Sequence, residues 1–131
     1  MTYPQLTIDW RVHPKLADNI WHARMAGHPK VLTYDGPDLS IRRSQRKAAM
    51  QYEYQGETFE IPHILSRDEY PFACTKEGGA GWVGHIPAAQ NSAQGGLIAA
   101  LLRRHHIVAG RGEQSKFAVN IINHPRGPVT K

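Results

Sequence analysis

The hydrophobic pattern changes period several times along the chain. Apolar and polar side chains alternate through Leu6-Thr7-Ile8-Asp9-Trp10, the period of a half-buried strand. Pro14 suits the first position of a helix. Leu16, Ile20 and Ala23 then recur at helical spacing, and Gly27 with Pro29 predicts the stop. Val31 to Tyr34 predicts a core strand, closed by the turn Asp35-Gly36-Pro37. A second helix is predicted from Asp38, a plausible N-cap, to Met50, and a hairpin or loop over residues 51–65 with Gln55-Gly56 at its turn. Beyond a flexible Gly78-Gly79-Ala80-Gly81, Trp82 to Ile86 reads as a strand. A third helix is expected from near Ala88 or Ser92 to about His106, with Leu97, Ile98, Leu101 and Leu102 as a wide apolar stripe. Phe117 to Ile122 reads as the last strand, and Asn123 to Lys131 as a frayed tail. Strands and helices thus interleave in an α+β arrangement.

Composition narrows the class. A chain of 131 residues, 40% hydrophobic and 21% charged, fits one folded domain spanning 1–131 rather than a disordered chain. No apolar run is long enough to span a bilayer, and Met1-Thr2-Tyr3-Pro4-Gln5 does not begin a signal peptide. That leaves an internal protein or a piece of a larger one. Cys74 is the only cysteine, so an intramolecular disulfide is excluded, and an inert thiol outweighs a nucleophile. The formal net charge of +5 favours a polyanionic partner, nucleic acid or an acidic protein. Arg42, Arg43, Arg46 and Lys47 form two cationic i,i+4 pairs on the second predicted helix. Like charges at that spacing repel, so the surface is either solvated or neutralised by phosphates.

Acids concentrated in a basic chain need a reason. Arg67-Asp68-Glu69-Tyr70-Pro71-Phe72 leads on to Lys76-Glu77-Gly78-Gly79, and Gln90-Asn91-Ser92-Ala93-Gln94-Gly95-Gly96 follows at the start of the third helix. Phosphodiester hydrolysis requires a base for water, a cation to stabilise developing charge, and a grip on substrate. Asp68 is the candidate base: burial beside Tyr70 and Phe72 raises a carboxylate pKa, while Arg67 lowers it. Glu69 and Glu77 are candidate ligands or orienting groups, with a surface ion-pair cluster as the bland alternative. Asn91 and Gln94, three apart on one helix face, offer amide oxygens suited to a hard cation that keeps several waters. Gly95 and Gly96 make sense if another backbone or a DNA strand packs closely; otherwise Asn91 or Ser92 is an N-cap and the glycines fit a strand. Of eight histidines, His85 is best placed for proton transfer, while His105 and His106 suit the helix dipole. Zinc spacings, GxSxG, a Walker loop and a dinucleotide fingerprint are all missing.

These two blocks, with Gly27-His28-Pro29, resemble the NucA/NucB deoxyribonuclease family over roughly residues 16–122. The resemblance implies a small ββα-metal nuclease core with additional N-terminal strands and helices. It also implies nonspecific endonuclease activity on DNA with a divalent cation, Mg²⁺ or Mn²⁺. Where most ββα-metal nucleases use a histidine base, this family looks to use an aspartate, matching Asp68. The helix amide matches Asn91, and Glu69 and Glu77 match acidic positions. In related nucleases a further acid lies two helical turns past the asparagine, where this chain has Ala99. Similar domains also occur as toxin modules of larger bacterial effectors, for which an acidic immunity protein would be the natural partner. Two other readings stay open, a non-catalytic nucleic-acid-binding module and an inactive domain that binds protein. Binding alone explains the charge but not the acids, which repel phosphate unless a metal intervenes.

Overall fold

Strand β1 (Gln5–Asp9) buries Leu6 and Ile8 and exposes Gln5 and Thr7, as the alternation predicts. It pairs in parallel with the last strand of the chain, whose Lys116–Ile122 segment is the middle of a three-stranded sheet. Strand β2 (Val31–Thr33) completes that sheet antiparallel on the other side. Phe117 and Val119 of this central strand join the hydrophobic core, and the small Ala118 between them is buried as well. The computed structural model describes residues 2–36, 65–78 and 81–130. The helix predicted from Asp38, with Arg42, Arg43, Arg46 and Lys47, lies outside the described residues, as does nearly all of the predicted hairpin.

Helix α1 (Pro14–Met25) opens at Pro14 without a cap of its own. Its first free N–H groups, on Lys15 and Leu16, donate instead to Gln90 Oε1, both at 3.0 Å. It ends where Gly27 adopts φ +104°, with Gly27 N–H donating to Arg24 O and His28 N–H to Ala23 O. This paired closure satisfies the last carbonyls and favours glycine for its positive φ. Leu16, Ala17, Ile20 and Ala23 are fully buried among Ile8, Leu32, Phe117 and Val119.

Strands β3 (Leu65–Tyr70) and β4 (Trp82–Pro87) form a separate antiparallel pair, with Arg67 opposite His85 and Asp68 opposite Gly84. Helix α2 (Ala88–Arg104) follows β4 without a break, so β3, β4 and α2 make a ββα unit. With β5 (Lys116–Ile122) closing the chain order, the architecture is α+β, the ββα core preceded by β1, α1 and β2. The residues after β3 join the two sheets: Tyr34 bridges Thr75, and Lys76 N–H donates to Thr33 O at 2.9 Å. Both oxygens of Glu77 accept from Thr33, one from its N–H at 2.7 Å and the other from its hydroxyl at 2.9 Å.

The tail expected to fray makes defined contacts at His124, Arg126 and Gly127. His124 is buried, stacks on Trp21 with centroids 4.5 Å apart, and its Nε2 lies 2.8 Å from Asp18 Oδ1. Trp21 Nε1 donates to Gly127 O, and Arg126 lies over the same indole. The sequence pattern hides this docking because its partners are polar tips and ring faces, which carry no hydrophobic period.

Candidate active site

Asp68 sits on the face of β3 that turns toward α1 and α2, and it is only 1% exposed. A carboxylate so placed needs donors. Gln94 Nε2 donates to its Oδ1 at 2.7 Å, and Asn19 Nδ2 donates to its Oδ2 at 2.8 Å. Asn19 also reaches the Asp68 carbonyl at 3.3 Å, and its own Oδ1 accepts from Trp82 Nε1 at 2.8 Å. Burial nevertheless dominates. Desolvation pushes the Asp68 pKa up to about 6, against the lowering effect of the Asn19 and Gln94 hydrogen bonds.

Gly84 makes this arrangement sterically feasible. A Cβ at that position would lie 2.0 Å from Asn19 Oδ1 and 2.6 Å from its Cγ. The side chain of Asn19 therefore occupies the space that any other residue at 84 would fill.

From the helix side, Asn91 and Gln94 project one turn apart. Asn91 Nδ2 donates to Arg67 O at 3.4 Å, and Gln94 Nε2 lies 3.5 Å from Asn91 Oδ1. Because ionised Asp68 only accepts, the Gln94 amide must turn Nε2 to it, which leaves Oε1 on the other side. Gln94 is 6% exposed, and that oxygen is buried with no hydrogen-bond donor among the described residues. Asp68, Asn91 and Gln94 line one cavity of about 640 Å³ together with Arg67, Glu69 and the apolar side chains of Phe72, Ile98 and Leu102. The two distant sequence blocks thus meet in one place.

Other residues singled out from the sequence lie elsewhere. Glu77 is not among the residues lining the cavity; its oxygens hold Thr33 at the end of β2. His85 pairs opposite Arg67 and is not among the residues lining the cavity. Gly95 and Gly96 are exposed, and a Cβ on either would meet nothing within 4 Å, so no described part of the chain packs on them. The predicted Leu stripe of α2 is only partly core: Leu101 is buried, while Ile98 and Leu102 form cavity wall.

Asn19 was not among the expected site residues. The signals for it were a polar residue at a core spacing, between Leu16 and Ala23, and a lone glycine inside a strand pattern at 84. Among the described residues no three His, Cys, Asp or Glu side chains converge as a metal cluster. The oxygens at this cavity are instead one or two carboxylates and two amides, a set suited to a hard cation with retained waters.

A hairpin that delivers an acid, running straight into a helix that delivers amides to the same cavity, is the ββα arrangement of a hydrolytic nuclease. The Deoxyribonuclease NucA/NucB family model matches residues 20–119, and the chain belongs to that family. It is accordingly a nuclease, a hydrolase whose substrate is DNA. Asn19 stands one residue before the matched stretch. A comparison with curated proteins finds no significant match.

Proposed function

We propose that the protein is a divalent-metal-dependent, nonspecific DNA endonuclease in which Asp68 is the general base. The observation that carries this reading is the Asp68–Gln94 pair at the cavity. A buried carboxylate is held in its ionised, accepting form by one end of an amide whose other end, Oε1, is left without a donor among the described residues. A fold built for stability alone would fill both needs or neither. A carbonyl oxygen without a donor among the described residues, beside a carboxylate and Asn91, fits a hard cation, and Asn91, Gln94 and Glu69 are the residues that would hold Mg²⁺ or Mn²⁺. A cation bound there supplies stabilisation of charge on the phosphate and the leaving oxygen.

The chain's own contribution is proton transfer and positioning. Asp68 uses one lone pair of Oδ1 for Gln94 and one of Oδ2 for Asn19, so each oxygen keeps another for a water proton. A pKa of about 6 leaves it mostly ionised at neutral pH, yet more basic than an ordinary carboxylate. Phe72, Ile98 and Leu102 give the cavity an apolar wall that strengthens these interactions.

Supercoiled plasmid incubated with the protein and Mg²⁺ or Mn²⁺ is expected to be nicked, and EDTA to stop the reaction. Asp68→Ala should lower the rate by about two to four orders of magnitude, the usual range for a general base. Plasmid left intact across a panel of divalent cations would overturn the assignment.

A further inference from the structure

We infer that the outward face and C-terminal end of α2 form a docking track for the DNA phosphate backbone, leading away from the cavity. The inference rests on the nuclease reading above and adds a binding surface to it. From Gly78 to Gly112 the sequence contains no Asp or Glu, while it carries Arg103, Arg104 and Arg111. All three arginines are exposed, and none makes an ion pair among the described residues. Arg11, by contrast, lies 3.5 Å from Asp9, and Lys116 lies 2.8 Å from Glu113.

Between the cavity and these cations the helix exposes Gly95, Gly96, Ala99 and Ala100. No side chain on this row stands high enough to keep a rod-like ligand off the helix. At its cavity end lies Gln94, almost wholly buried and with its Oε1 unpartnered among the described residues. Twelve residue steps of 1.5 Å separate Asn91 from Arg103, roughly 18 Å. At about 3.4 Å per charge of one strand, that length covers about five phosphates. The helix dipole alone accounts for basic residues in the last turn, but not for Arg111 beyond it or for the acid-free stretch. An acidic protein would ask for apolar anchors at the centre of the patch. Along the helix row the surface offers small side chains and charges, and the exposed Val108 beyond it is a single small apolar contact, which suits a phosphate backbone better than a protein.

The test is direct binding of a fluorescein-labelled 20-base-pair duplex without added metal, followed by anisotropy over a salt series. Neutralising three phosphate contacts in R103Q/R104Q/R111Q should flatten the slope of log affinity against log salt by about 2 to 3. Between 50 and 200 mM salt, wild type should then lose roughly 40-fold more affinity than the variant. R103K/R104K/R111K keeps the charge and should restore the slope. R11Q removes an arginine already neutralised by Asp9 and should leave it nearly unchanged. An unchanged slope in the glutamine variant, or an equal flattening in R11Q, would overturn the track. The plasmid-nicking reaction of wild type reports on the nuclease reading separately, so the two failures are distinguishable.

Discussion

Replacing Gly84 by alanine should move the pH dependence of catalysis through a residue that never touches substrate. The new Cβ would sit 2.0 Å from Asn19 Oδ1, far inside contact distance, so Asn19 must leave its place. Asp68 then loses one of its two side-chain donors. A hydrogen bond to a charged group contributes about 1.5–3 kcal/mol, and one pKa unit corresponds to about 1.4 kcal/mol. The acid limb of the pH–rate profile should therefore rise from near the native value of about 6 by roughly one to two units. At pH 7 the rate falls about two- to tenfold, and at pH 9 much of it returns. Plasmid nicking from pH 5 to 9 reads this directly. The double variant with Asn19→Ala removes the clash as well as the bond. If Gly84→Ala acts only through Asn19, the double variant behaves like Asn19→Ala alone, a non-additive coupling. A folded Gly84→Ala protein whose acid limb stays where wild type has it would refute the reasoning.

The same buried acid makes stability depend on pH in an unusual direction. Native Asp68 holds its proton up to about pH 6, whereas the unfolded chain releases it near 3.8, so stability falls as pH rises between those values. Asp68→Asn removes that loss. It should stabilise the fold at pH 8 by up to about 3 kcal/mol and by little at pH 4, measured by urea unfolding, while abolishing nicking. Gln94 can accommodate the introduced amide by turning inward its Oε1, which has no donor among the described residues. For Glu77, the two bonds to Thr33 predict a structural loss: Glu77→Ala should lower stability by about 2–4 kcal/mol and leave the acid limb of the pH–rate profile in place. Lost turnover at full stability would return Glu77 to the reaction itself.

Element order was legible because it rests on short-range signals. Pro14, the Leu16–Ile20–Ala23 spacing and Gly27 delimit α1 as expected, and the strands at β1, β4 and β5 follow their alternation and β-branching. The meeting of Asp68 with Asn91 was legible for another reason, since the family resemblance carried long-range information that periodicity lacks. What stayed hidden was the connection between elements. Gln90 reads as part of an amide motif, yet its side chain holds the start of α1, seventy-odd residues away. Glu77 reads as one more acid of the block, yet it ties β3's extension to β2. Long-range side-chain bonds of this kind have no sequence period, and an acid that ligates a metal has the same letter as one that braces a strand.

The polar core around Asp68 makes sense only as a chain of mutual dependence. Burying a carboxylate is unfavourable, and the raised pKa shows that two amide donors do not fully offset it. Asn19 can supply its share only because position 84 lacks a side chain and because Trp82 fixes which way its amide faces. α1 carries Asn19, and Gln90 at the head of α2 holds the first turn of α1. The helix that presents Asn91 and Gln94 to the cavity therefore also steadies, at one remove, the asparagine on the far side of Asp68. An apolar residue at 68 would make every one of these devices unnecessary and give a simpler core. Their joint presence locates the demand at the carboxylate, where the proposed reaction takes a proton from water in a pocket shielded on one side by Phe72, Ile98 and Leu102.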